Sequence, residues 1–273
     1  METDSTTRTL GRSGIRVSAL GFGCWAIGGE WQDPSGQPLG WGKVDDDESV
    51  RAIHRALDLG VTFFDTADTY GAGHSERVLG RALGKRRDDV VIATKWGNLF
   101  DEETRTSVGQ DDSPAHVRRA LTASLRRLGT DHVDLYQFHI SDGDPVRAAE
   151  LRDVCEELVG EGLIRGYGWS TDDPARAAVF AEGPHCTAVQ YTLNVLQDAP
   201  ELTALSEELE LAGICTPRQI ASACKAGTDC GSCVRRIQAI LGRGACPRRE
   251  LADQGRPVLS EIDGGLDGLG EAA

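Results

Sequence analysis

Short apolar runs that each end at a polar residue and pass into a helical pattern recur along most of this chain, and that alternation limits the fold more than any other feature. The clearest unit covers 60–83. An apolar run at 61–64 stops at Asp65, a loop carries Tyr70, and after Gly71 and Gly73 the residues Val78, Leu79, Ala82 and Leu83 recur at helical spacing, with Ser75 as the expected N-cap. Further runs at 90–94, 133–138 and 164–169 lead to Lys95, His139 and Ser170, and one at 188–191 carries Gln190. Helices are predicted from Ser113-Pro114 to Gly129 and over 146–159. Ahead of these units, 9–18 reads as a hairpin turning at Arg12-Ser-Gly14, and 17–22 as the first buried strand. A long loop with Trp25, Trp31 and Trp41 follows, then a helix capped by Asp45 or Asp46 whose apolar face holds Val50, Ile53, Ala56 and Leu57. Strands alternating with helices at these intervals mean α/β with a parallel sheet, and units in this number favour a barrel over an open sheet.

The pattern ends early. After a sixth helix expected over 199–211, the two further strands of an eight-unit barrel have no convincing run to form them, so a boundary is placed near Gly213. The expectation is an incomplete (β/α)8 TIM barrel over 1–213 with six strand–helix units and an N-terminal hairpin, a small helical Cys-containing segment over 214–246, and a Gly- and Asp-rich tail without order over 247–273.

Composition bounds function from the other side. A chain of 273 residues can bury a large core, and its net charge of −14 argues against a nucleic-acid partner. No run of about 18 apolar residues occurs, and the start METDSTTRTLG lacks an export pattern, so a soluble cytoplasmic protein with no membrane partner is expected. Of eight cysteines, Cys215, Cys224, Cys230, Cys233 and Cys246 crowd into the last quarter, which points to metal or redox chemistry more than to a disulfide frame.

Chemistry gathers at the carboxyl ends of strands in a parallel barrel. Asp65, Lys95 and His139 sit at the predicted ends of successive strands, and Tyr70 hangs over the same rim. A phenol is a poor acid at neutral pH until a cation favours its phenolate. A carboxylate can hold the lysine in place and an imidazole can hydrogen-bond a substrate oxygen, which together make a site for protonating an alkoxide as it forms. The alternative is an Asp65–Lys95 salt bridge closing the barrel top, with a loop tyrosine and a core histidine.

The motifs FFDTADTYG…SERVLGRAL, ATKWG, SLRRLGTDHVDLYQFH, LIRGYGWS and VQYTLN occur in this order, and over about 7–213 the chain resembles the aldo-keto reductase family. That resemblance implies a (β/α)8 barrel plugged by a hairpin and hydride transfer from NADP(H) to a small-molecule aldehyde or ketone. It implies Tyr70 as general acid, Lys95 lowering its pKa, Asp65 fixing Lys95 and His139 orienting the carbonyl. It also implies nicotinamide contacts from Gly23, Cys24, Trp25, Ser170 and Gln190. Two positions depart from the family: Cys24 stands where threonine is common, and Thr171 where asparagine is. The seventh and eighth units, which in the family hold the pyrophosphate and adenosine, are missing from the pattern, so a catalytically inactive truncated fusion is a further possibility.

Residues 212–241 resemble the second half of a bacterioferritin-associated ferredoxin domain, with Cys230-Gly-Ser-Cys233 at the start of a helix. The resemblance implies a [2Fe-2S] cluster on Cys230 and Cys233, although such a cluster wants four ligands and the partner Cys-X-Cys is missing. An iron-sulfur module on a barrel remnant is therefore the alternative function.

Overall fold

The computed structural model describes residues 7–192. β1 (Thr7–Leu10) and β2 (Ile15–Ser18) form the expected antiparallel hairpin, with Leu10 opposite Ile15. The first strand of the main sheet is shorter than predicted. Val17 and Ser18 belong to the hairpin, and β3 is only Gly21–Gly23. Ser18 and Thr62 exchange bonds, each amide donating to the other's hydroxyl at 3.0 and 2.9 Å, and this closes β2 before β3 begins.

α1 (Asp46–Asp58) starts where Asp45 accepts the amides of Asp47 and Glu48, so Asp45 and not Asp46 is the cap. β4 (Phe63–Asp65) leads to α2 (His74–Leu83), whose cap position is Gly73 rather than Ser75. The Ser75 hydroxyl is instead drawn into the core, donating to the Cys24 carbonyl at 2.7 Å and sharing a hydrogen with Thr66 Oγ1 at 2.9 Å. β5 (Val91–Trp96) runs far enough to include Lys95. An antiparallel excursion of β6 (Asn98–Asp101) and β7 (Thr106–Gln110) follows, which the sequence pattern did not show. Then come α3 (Pro114–Leu128), β8 (Val133–Phe138), α4 (Pro145–Gly160), β9 (Ile164–Ser170), α5 (Pro174–Ala181) and β10 (Cys186–Gln190). α3, α4 and α5 share one start signal, a Ser or Asp cap followed by proline at the first helical position.

The six parallel strands lie in the order β3-β4-β5-β8-β9-β10 and curl into a half-barrel with the helices outside. Among the described residues β3 and β10 are its edges. The helix expected over 199–211, the boundary near Gly213, the Cys230–Cys233 segment and the 247–273 tail all lie outside the described residues.

Alternation along the strands separates two cores. Phe64, Ile92, Tyr136 and Trp169 point outward into a large apolar layer shared with Ile53, Leu79, Val117 and Leu151 of the helices. Phe63, Val91, Ala93, Leu135 and Ala188 point inward and are capped by Leu10, Ile15 and Val17 of the hairpin. Each fully buried aliphatic or aromatic side chain contributes about 1.5–3 kcal/mol, so the hairpin is tied to the sheet by several such increments. Two residues further along each inner row the character changes. Asp65 follows Phe63, Lys95 follows Ala93, Gln137 follows Leu135 and Gln190 follows Ala188, so the apolar floor gives way to a polar rim. No helix among the described residues is long and apolar enough to cross a membrane.

Candidate active site

The rim is built from strand ends whose positions the sheet register fixes. Gly23 pairs with Asp65, Asp65 with Ala93, Lys95 with Gln137, and Ser170 with Gln190. The Tyr70 loop continues this order, since Thr66 donates its amide to Ala93 O at 2.8 Å and Asp68 to Lys95 O at 3.2 Å. Its far side is set by two glycines. A Cβ on Gly71, which has φ +61°, would stand 1.9 Å from the Gly28 carbonyl oxygen, and one on Gly28 would stand 2.8 Å from the Tyr70 carbonyl carbon. Only bare backbone allows the 25–29 turn and the Tyr70 loop to touch, and that contact holds the phenol over the rim.

Lys95 is 1% exposed and donates from Nζ to Asp65 Oδ1 at 2.8 Å, to the Thr66 carbonyl at 2.7 Å and to the Tyr70 hydroxyl at 3.3 Å. The ammonium sits 5.0 Å from the phenol ring centroid, on the hydroxyl side of the ring. Asp65, equally buried, accepts Gln190 Nε2 on its second oxygen at 3.1 Å, and Gln190 Oε1 accepts Gln137 Nε2 at 3.1 Å. A continuous polar chain therefore runs Gln137, Gln190, Asp65, Lys95, Tyr70. Both Asp65 oxygens are occupied, which fixes the carboxylate and through it the ammonium.

His139 follows β8 directly and donates its amide to Trp96 O at 2.9 Å. Its ring meets the Tyr70 ring edge to face, centroids 5.8 Å apart at 79°. Burial first and the Lys95 cation second push its pKa down to about 3, so the imidazole is neutral, and its Nδ1 is buried with no hydrogen-bond partner among the described residues. On the other flank Trp25 stacks on Tyr70 at 6.1 Å and 26°, anchored by its Nε1 donating to Leu39 O at 3.2 Å. Trp41, half exposed, stands edge-on to Trp25 at 5.8 Å.

The structure thus brings Asp65, Tyr70, Lys95 and His139 together at one rim, with Gly23, Trp25, Ser170 and Gln190 around them. Cys24 is placed differently. Its amide donates to Asp65 O at 2.8 Å, but its thiol is fully buried in the outer apolar layer, so only the backbone of Cys24 borders the site. The Gln190 side chain faces inward to Asp65 and Gln137. Sequence patterning passed over Gln137 and Trp41. Gln137 carried a signal, since it lies two residues beyond Leu135 as Lys95 lies two beyond Ala93; Trp41 in its irregular loop carried none. Cys230 and Cys233 lie outside the described residues, and among the described residues no group of three or more metal-ligating side chains occurs.

The profile of the Aldo/keto reductase family matches residues 19–216. Aldo-keto reductase YhdN of Bacillus subtilis is 37% identical over 205 residues, covering 72% of this chain and 56% of its own. The NADH-specific methylglyoxal reductase of Escherichia coli is 33% identical over 202 residues, covering 70% of this chain and 60% of its own. Among solved structures, aldo-keto reductase AKR11C1 from Bacillus halodurans superposes with a TM-score of 0.65 at 32% identity, over 77% of this chain and 64% of that one. The chain spans less than two thirds of the length of the curated relatives it matches.

Proposed function

The chain belongs to the aldo/keto reductase family, and from that premise we propose that it reduces a small aldehyde or ketone to the alcohol with a nicotinamide cofactor, Tyr70 giving the proton. One observation carries the proposal: the buried Lys95 ammonium joins the Asp65 carboxylate to the Tyr70 hydroxyl. A cation beside a phenol stabilises the phenolate, so the proton leaves more readily as negative charge grows on the substrate oxygen. Asp65, held by Gln190, keeps the cation from swinging away. The neutral His139 ring carries a single N–H, which can hydrogen-bond the substrate oxygen without competing as an acid. The Trp25 face beside Tyr70 gives a flat apolar wall that keeps water from the reacting oxygen.

A bound nicotinamide supplies the hydride in this chemistry. The Ser170 hydroxyl has no partner among the described residues and suits the carboxamide of such a ring. Trp25 and the Gly23 backbone complete the set that would hold it.

Loss of NADH or NADPH absorbance with methylglyoxal tests the proposal, the pair being suggested by the relative named for that reaction; an aromatic aldehyde widens the screen. We expect turnover with one of the two cofactors, falling by about 10²- to 10⁴-fold in Tyr70→Phe. Wild-type protein that binds neither cofactor and oxidises neither would refute it.

A further inference from the structure

Beneath the Tyr70 loop lies a set of charges that the proton transfer does not use. Glu76 of α2 is fully buried and accepts Arg127 Nε of α3 at 2.6 Å and the Thr94 hydroxyl of β5 at 2.6 Å. Arg127 continues to Glu102 in the β6–β7 turn at 3.0 Å, and Arg77 pairs with the same carboxylate. On the other side stands the Lys95–Asp65 pair. Asp68, two residues before Tyr70 in the loop, lies among these groups at 2% exposure. It has no ion-pair partner among the described residues, and its Oδ1 has no hydrogen bond.

Counting the charges singles Asp68 out. Arg77, Arg127 and Lys95 are three cations, and Glu102, Glu76 and Asp65 are the three carboxylates bonded to them. Asp68 is a fourth acid with no cation left to it. A buried carboxylate without a cation is strongly disfavoured and takes up a proton instead. Were it charged, it would draw on the same Lys95 field that faces the phenol.

We propose that Asp68 is a positioning residue that stays uncharged in the folded protein and so leaves the Lys95 ammonium undivided between Asp65 and the Tyr70 hydroxyl. Its role at Tyr70 rests on the proton-transfer proposal above; its protonation does not. Burial and then the Glu76 carboxylate push the Asp68 carboxyl well above its ordinary range, and the opposing pulls of Arg127, the Thr69 amide and Lys95 do not cancel them. The groups facing it are Glu76 from α2, Arg127 from α3, Lys95 from β5 and Tyr136 from β8.

Denaturant unfolding of the full chain between pH 5 and 8 tests the protonation without any assay of activity. The folded group holds a proton that the unfolded chain releases near pH 4, so wild type loses stability relative to the isosteric Asp68→Asn as pH rises. The ratio of their folding constants should shift in favour of Asp68→Asn by about tenfold or more across that window. In a Glu76→Gln background the count is even, Asp68 becomes the carboxylate for Arg127, and the same substitution should now weaken folding. An Asp68→Asn effect that is pH-independent and keeps one sign in both backgrounds overturns the proposal, as does an Asp68→Asn chain that folds at no pH. For the positioning role, kcat/KM of Asp68→Asn relative to wild type should rise by about threefold or more as the assay pH is raised into the range where wild-type Asp68 loses its proton. A ratio that stays constant, or a wild type with no turnover, removes that role while the unfolding result stands on its own.

Discussion

Two buried carboxylates sit at opposite ends of the same sheet, and their surroundings differ in a way that separates stability from function. Asp134, second residue of β8, is 1% exposed at the amino end. One of its oxygens accepts Arg165 Nη1 at 2.7 Å; the other accepts Arg87 Nη2 at 3.0 Å and the Ile92 amide at 2.9 Å. Arg87 also donates to Val90 O, His132 O and the Thr130 hydroxyl. Both Asp134 oxygens are bonded within the protein. At the carboxyl end Asp65 has a comparable pair, but the cation it holds also touches a phenol at the rim, and nearby Gln137 Oε1, His139 Nδ1, Asp68 Oδ1 and Thr69 Oγ1 are buried without partners among the described residues. Buried polar groups are nearly always bonded, so four such exceptions gathered around Asp65 and Lys95 set this end apart from Asp134. The pairing at one end ties neighbouring strands together; the incompleteness of the other fits a reacting rim.

The comparison breaks if mutations at the two ends have the same consequences. Lys95→Met should be the most severe. It strands a buried carboxylate, costing about 3–5 kcal/mol of stability, and removes the cation beside the phenol, lowering turnover per folded molecule by about 10²- to 10⁴-fold. Asp134→Asn should cost about 3 kcal/mol by unpairing the two arginines, with Arg165 the more exposed and so the less affected. Its kcat/KM per folded molecule should equal that of wild type. An Asp134→Asn enzyme that unfolds at the wild-type midpoint, or one that folds but turns over slowly, would erase the distinction between the two ends.

His139 sharpens the contrast through pH. Its folded pKa near 3 lies below the ordinary value of 6.5, so between those limits the unfolded chain binds the proton and the native state does not. Stability is therefore whole above about pH 6.5 and is lost as pH falls towards 3; at pH 5 the loss is about 1–2 kcal/mol. His139→Asn should remove this part of the acid sensitivity while leaving the midpoint at pH 8 comparatively little changed. An unchanged slope of stability against pH would mean that the ring is charged in the folded protein.

Much of this architecture was legible because two periodicities carry it. The alternation of apolar runs and helical faces located the parallel strands and placed Asp65, Lys95 and His139 at or beside strand ends, and Asp45, Ser113 and Gly129 marked helix ends by their cap chemistry. The reading failed where the controlling contact is long-range. Ser75 looks like a cap by its position in the sequence, yet its hydroxyl answers to Cys24 O, 51 residues away. The β6–β7 hairpin is fixed partly from outside, by Gln32 bonding Arg105 O and the Ser107 amide across the surface, and no local pattern announces that. α5 was legible in principle, since Asp173-Pro174 repeats the start signal of Ser113-Pro114. The polarity of Gln137 and Gln190 was visible too; that they bond each other and then Asp65 depends on the curl of the sheet.

Gln137 offers the finest division between the two ends, because stability and activity should respond to it unequally. Its Oε1 is already unpartnered, so Gln137→Leu removes one unsatisfied acceptor and one donated bond together, and the two changes oppose each other in the folding balance. The midpoint should move by less than about 1 kcal/mol. Gln190, however, loses the bond that holds its amide, and the amide is what steadies Asp65. A looser carboxylate lets the Lys95 ammonium wander from the phenol, so kcat should fall several-fold with KM for the carbonyl little altered. Replacing Gln137 by Glu keeps an oxygen but removes the donor, and it should not restore kcat. If Leu and Glu variants turn over as fast as wild type, the polar chain ends at Gln190, and Gln137 belongs with the satisfied, purely structural end of the sheet.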